Sequence, residues 1–118
     1  MLVSILVPVY KGAEYLDNLI RNVQAQTYSN FELILVDDAS PDRSAEIIGQ
    51  FSDPRIKYVR HEINKGADES RKTGLEISRG DIISFLDQDD LFHPDKLNEH
   101  INLFMRDSSL GVAYNSRF

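Results

Sequence analysis

Apolar residues follow two alternating rhythms along the chain. From Leu2, the residues Val3, Ile5, Leu6 and Val7 make a short β-branched-rich run closed by Pro8, a pattern that suits a buried strand. After a Lys11-Gly12 turn, Leu16, Leu19, Ile20 and Val23 recur at helical spacing and give one apolar stripe. The polar turn Thr27 to Asn30 ends that unit, and Phe31 to Val36 is a second continuous apolar run that stops at Asp37 and Asp38. Ser40 with Pro41 behind it reads as an N-cap followed by proline in the first helical position, and Ala45, Ile47, Ile48 and Phe51 continue that helix. A weaker strand is predicted over Ile56 to Val59, then a helix poor in large apolar residues from about Asp68 to Ser78. Ile82, Ile83, Phe85 and Leu86 form a third strong strand, which ends at Asp87-Gln88-Asp89-Asp90. Pro94 opens a last helix with Leu97, Ile101 and Phe104 on one face, and Val112 to Tyr114 begins another strand.

Strands alternating with helices, and too apolar to leave a wet face, predict an α/β fold: a mostly parallel central sheet with helices on both faces. In such open sheets ligands sit beyond the carboxyl ends of the strands, where the strand order reverses. Both acidic clusters, Asp37-Asp38 and Asp87 to Asp90, fall on that edge. The 118 residues read as a single domain, 1–118, with one core.

Charge changes the picture more than composition does. The net charge of −6, with no Lys/Arg cluster, argues against a nucleic-acid partner, which requires concentrated positive charge. An acidic domain needs another way to hold phosphates. The chain has no cysteine, which excludes disulfides, thiolate chemistry and Cys-ligated zinc. The run Leu2 to Tyr10 is too short to span a bilayer and lacks the basic leader of a signal peptide, so a cytoplasmic protein is expected, with at most a peripheral association with the inner face of a membrane.

Asp87, Asp89 and Asp90 crowd together at the end of an apolar strand. Carboxylates so close repel one another, and a divalent cation is the natural offset. Hard oxygen ligands select Mg²⁺ or Mn²⁺, which commonly complete their shells with substrate phosphates. The plainer alternative is a solvated turn that caps the next helix. At the other cluster, an ionised carboxylate only accepts hydrogen bonds and so favours a base that presents an N–H, which makes Asp38 a candidate base reader; the alternative is that Asp37 and Asp38 merely end a strand. For Ser40 and Asp42 capping is the preferred reading. Tyr10 could stack on a flat base, or simply pack. Arg71 lies on the helix with the weakest apolar face, where Ala67 and Gly74 permit close approach to the sheet; its guanidinium either faces a diphosphate or is solvated. His61, His93 and His100 show no paired ligand spacing and are given no role.

The run Val3 to Tyr10, then Asp37-Asp38-Ala39-Ser40, then Phe85-Leu86-Asp87-Gln88-Asp89-Asp90 followed by Pro94 and Leu97, resembles family 2 glycosyltransferases over essentially the whole chain. The resemblance implies a Rossmann-like GT-A fold and inverting transfer of a sugar from a nucleoside diphosphate, commonly UDP, to a hydroxyl of a saccharide or lipid-linked acceptor. It implies that Pro8, Tyr10 and Asp38 line the nucleoside pocket and that Asp87 and Asp89 bind the metal, with Asp89 in direct contact. Asn64, Gly66, Arg71 and Gly74 resemble the segment passing near the diphosphate. The sequence departs from the family at Lys11, where Asn is usual, and at Arg71-Lys72, where Arg-Asn is usual. The family's general base is an acidic residue beyond the position of Phe118, so the chain is expected to be a truncated donor-binding half, and transfer by these residues alone is expected to be little or none. Two other classes fit parts of the pattern. A phosphoacceptor receiver needs a lysine on a late strand, where this chain has only Lys96 on a helix, and a non-catalytic interaction domain of the same fold would bind no nucleotide.

Overall fold

The computed structural model describes residues 1–106 and, as backbone, 112–114. Their order is β1 (Val3–Val9), α1 (Ala13–Gln24), β2 (Phe31–Asp37), α2 (Ser44–Gly49), β3 (Ile56–Arg60), α3 (Ala67–Ile77), β4 (Ile82–Phe85), α4 (Lys96–Arg106) and β5 (Val112–Tyr114). The strands form one five-stranded sheet in the order β3-β2-β1-β4-β5, and every pairing is parallel. Successive strands step outward from β1 to β3, then the chain crosses to the other side of β1 and continues through β4 to β5. The reversal therefore lies between β1 and β4.

Alternation along the strands divides the core. Val3, Ile5, Val7 and Val9 of β1 and Leu33 and Leu35 of β2 pack with Leu16, Leu19, Ile20 and Val23 of α1, Ile48 of α2, and Leu97 and Phe104 of α4. Leu6, Ile34 and Val36 face the other way and meet Ile77 of α3. Both faces are thus covered, which is why β1 and β2 carry so few polar residues. Two polar exceptions are paired. Glu32, buried on β2, accepts from Ser4 Oγ at 2.5 Å and from the Arg79 N–H at 2.6 Å, and forms an ion pair with Lys57 at 2.5 Å.

The weakly apolar α3 approaches the sheet closely through Gly74. A Cβ at that position would stand 2.9 Å from both Cγ and Cδ2 of Leu6, closer than real carbon contacts allow. Alanine at 74 is worth up to ~1 kcal/mol in helix propensity, but overpacking costs ~1–3 kcal/mol. Gly74→Ala is therefore expected to destabilise the domain by about 1 kcal/mol in denaturant titration, and an unchanged or raised midpoint would show that α3 can retreat freely from β1.

Three expected boundaries move. Pro8 does not close β1, which runs on to Val9 and pairs Pro8 with Val36. The even-numbered positions of β1 bond toward β4: Leu2 O accepts from Asp81 N, and Leu6 O accepts from Leu86 N. The β1–β4 register ends at Leu6↔Phe85. The N–H that Pro8 lacks falls on the side that β4 has already left, so no ladder bond is lost. Nor does Ser40 cap a helix: α2 starts only at Ser44. The chain leaves β2 through Ala39 in the left-handed region (φ 58°), and the Ser40 hydroxyl accepts from Lys11 N at 2.8 Å and donates to Asp42 Oδ1 at 2.6 Å. Asp42 keeps part of the expected capping role, accepting from Ser44 N at 3.1 Å, and also receives Ala13 N from the start of α1. Burial opposes its ionisation, but these donors outweigh that and hold its carboxyl at about 2. The last helix begins two residues after Pro94, at Lys96.

Candidate functional site

Where β1 and β4 part, the carboxyl ends of the strands open onto a cleft of about 360 Å³. β1 contributes Pro8, Val9 and the following Tyr10; β2 contributes Asp38 just past its end. The segment after β4 supplies Asp87, Gln88 and Asp89, and the first turns of α3 supply Ala67, Ser70 and Arg71. Tyr15 of α1 completes the wall. Of the residues singled out in the sequence, Pro8, Tyr10, Asp38, Arg71, Asp87 and Asp89 therefore share one concavity at the strand-order reversal, whereas Asn64, Gly66 and Gly74 do not line it.

Its acidic side is made by Asp87 and Asp89, which with the adjacent Asp90 place carboxylate oxygens within 4.8 Å of one another; Asp87 and Asp89 are exposed and Asp90 half-buried. Among the described residues this is the one cluster of potential metal ligands. An all-oxygen set on the open floor of a cleft suits Mg²⁺ or Mn²⁺ with room for further ligands, so these residues fit such an ion. Facing them, Arg71 bonds Asp68 Oδ1 at 3.1 Å through Nη1 and approaches Asp87 Oδ1 to 3.5 Å through Nη2. Arg71 thus lines the cleft while staying partly exposed, and its guanidinium leans on the acidic cluster.

Asp38 is buried and heavily engaged. Oδ1 accepts from His61 Nδ1 and from Lys65 N, and Oδ2 from Gly66 N, each at 2.8 Å. Burial alone would raise its pKa; the hydrogen bonds from His61 and the two backbone N–H groups more than offset this and hold the carboxyl below its ordinary value. A carboxylate offers about four acceptor positions, and these three donors leave one on Oδ2. Gly66 makes this possible with φ 95° and ψ 166°, a conformation essentially reserved for glycine, which turns its N–H onto Asp38 and starts α3. Asp37, fully buried, is a structural residue: it accepts from Ser40 N, Tyr58 Oη and Arg60 Nη1 at 2.8, 2.5 and 2.7 Å.

Tyr10 is 39% exposed on the rim, with Lys11 Nζ 5.5 Å from its ring centroid. Its backbone is gripped at both ends by Gln88, which accepts from Tyr10 N at 2.9 Å and donates to Tyr10 O at 2.7 Å. Gln88 thereby fixes the acidic segment to the end of β1 across the gap in the sheet. Sequence reasoning did not find this, nor the parts played by Tyr15, Ser70 and His61. Gln88 carried a faint signal, as a long amide between two aspartates; the other three carried none.

Residues 4–117 match the sequence model of the family described as glycosyl transferase family 2. Among relatives, the Escherichia coli UDP-Glc:alpha-D-GlcNAc-diphosphoundecaprenol beta-1,3-glucosyltransferase WfgD is 38% identical over 107 residues, which cover 91% of this chain and 42% of that enzyme. Among solved structures, S. aureus TarS 1–349 in complex with UDP superposes with a TM-score of 0.85 and 25% identity over 92% of this chain and 33% of that one. The mannosyltransferase PcManGT from Pyrobaculum calidifontis, in complex with GDP-Man and Mn²⁺, gives a TM-score of 0.81 at 24% identity over 86% and 32%, a likeness of fold alone. The chain spans well under half the length of each of these proteins. No helix among the described residues is long and apolar enough to cross a membrane.

Proposed function

The chain belongs to glycosyl transferase family 2 and has the GT-A fold, and from that premise we propose that residues 1–118 form the nucleotide-sugar donor domain of an inverting glycosyltransferase that takes a sugar from UDP with the aid of Mg²⁺ or Mn²⁺. The observation that carries this reading is the single cleft in which Asp38, Arg71, Asp87 and Asp89 meet at the reversal of strand order.

Each residue has a role its chemistry suits. The remaining acceptor position of Asp38 takes an N–H of the base, as uracil offers at N3. Tyr10 and Pro8 flank the nucleoside, and Arg71 turns its fork of donors to the diphosphate, toward which the N-terminus of α3 also presents its positive end. Asp89 and Asp87 hold the ion. Bound there, a divalent ion supplies charge stabilisation for the departing diphosphate. In the displacement, the acceptor oxygen bonds to the anomeric carbon as the bond to the diphosphate oxygen breaks, and the hydroxyl proton passes to a base that we assign to none of these residues. UDP-binding TarS and the UDP-Glc-using, lipid-linked-acceptor enzyme WfgD support a UDP-sugar donor and an acceptor presented at a membrane surface, with the protein attached there only peripherally.

Titration calorimetry of the 118-residue chain with UDP tests the reading. Binding is expected with Mn²⁺ present and much weaker with the ion chelated. No binding of UDP or any other nucleotide in either condition rejects it and favours a non-catalytic interaction domain.

A further inference from the structure

Three donors hold Asp38, and they are not equivalent. Lys65 N and Gly66 N belong to the loop 61–66, whose residues 62–65 are exposed. His61 is buried and anchored on both sides: Nδ1 meets Asp38 Oδ1 at 2.8 Å, and Nε2 meets Thr73 Oγ1 of α3, also at 2.8 Å. Its backbone N–H is itself bonded to Asp37 O at 2.8 Å, so the ring projects from the end of β3 at a fixed point. Because the Asp38 carboxylate only accepts, Nδ1 is the protonated nitrogen in this bond. Thr73 Oγ1, which then donates its one proton to Nε2, also lies 3.0 Å from Glu69 O within the helix that carries Arg71.

We infer that His61 is a positioning residue for donor recognition: clamped between Asp38 and Thr73, it fixes the free acceptor position of Asp38 toward the base and holds the N-terminal turns of α3, with Arg71, at a set distance from it. This deepens the donor-site reading above and rests on it. Without the ring, the Asp38 carboxylate would be held only by an exposed loop and could turn about its side-chain bonds, and α3 would keep only the Gly66 N–H at its start as a polar tie to Asp38. The cost would appear as lost discrimination between bases, since uracil presents an N–H at N3 where cytosine presents an acceptor.

Two near-isosteric variants separate the two bonds. In His61→Asn the amide nitrogen stands where Nδ1 stands and can still donate to Asp38; in His61→Gln it reaches toward Thr73 and leaves Asp38 unmatched. Affinities for UDP and CDP, each with Mn²⁺, give a ratio for every protein, and Mn²⁺ affinity alone serves as a control at the acidic cluster. The UDP/CDP ratio is expected to stay within about twofold of the parent in His61→Asn and to fall roughly tenfold in His61→Gln, a loss of the size one charge-assisted hydrogen bond carries, with Mn²⁺ affinity unchanged in both. Equal ratios in the two variants, or a parallel loss of UDP, CDP and Mn²⁺ binding, would overturn the positioning role. Should the parent protein itself bind UDP and CDP alike, the base-reading role of Asp38 fails first, and the inference falls with it by a distinguishable route.

Discussion

Asp89→Asn is expected to abolish the Mn²⁺-dependent part of UDP binding while leaving the folded domain intact. Asp89 is exposed on the cleft floor and shares its surroundings with two other carboxylates, so the substitution leaves no buried partner unsatisfied and relieves like-charge repulsion. A unit charge and its partner ~4 Å apart at an effective dielectric of ~20 interact by about 4 kcal/mol, doubled in principle for a divalent ion and reduced by solvent at this open site. Even half of the single-charge figure, at ~1.4 kcal/mol per decade, weakens binding more than tenfold, and loss of a direct ligand is expected to reach about 100-fold. Calorimetry with UDP and Mn²⁺ reads the loss, and the thermal midpoint should stay put or rise slightly. If Asp89→Asn binds UDP and Mn²⁺ as the parent does, Asp89 is not the ligand, and Asp87 or Asp90 must take its place.

The elements were legible because the sheet is buried on both faces: continuous runs such as Phe31 to Val36 cannot serve as anything else at that length, and α1 carries a single apolar stripe. The acidic ends of β2 and β4 were legible for the same reason, since charged residues abutting such runs must fall at a sheet edge. What escaped notice was set by tertiary contact. Ser40 has the local chemistry of a cap, but Lys11 N and Asp42 claim its hydroxyl across the β1 end, and no local rule contains Lys11. Lys11, where the resemblance implies Asn, has its backbone at φ 52°, in the left-handed region where Asn is enriched among non-glycine residues. His61 was passed over because a lone histidine has no spacing to betray it. Its partners lie 23 residues back and 12 ahead.

Asp38→Asn, close to isosteric, is expected to lower stability by about 2–4 kcal/mol as well as to weaken UDP binding. The parent carboxylate meets three N–H donors and no acceptor. An amide must point its NH₂ at one side of that set: in place of Oδ2 it opposes Gly66 N–H, and in place of Oδ1 it opposes Lys65 N–H even if the His61 ring changes tautomer to accept. Either orientation leaves a buried backbone donor unpaired, at ~1–3 kcal/mol, and removes charge-assisted bonds worth ~1.5–3 kcal/mol before relaxation. For a domain of this size the midpoint should fall by about 10 °C. The pH dependence identifies the cause. The folded Asp38 carboxyl lies below its ordinary value, so the stability it confers is fully present above the unfolded value near ~4 and is lost as pH falls through the depressed folded one. Contributions from Asp42 and Asp53, both held at about 2, are common to the two proteins and cancel in the comparison. The stability gap between parent and Asp38→Asn should therefore narrow as pH falls below ~4. A gap that persists undiminished into that acid range would mean that the shape of the side chain, and not its charge, holds the loop that carries His61 and Gly66 against β2.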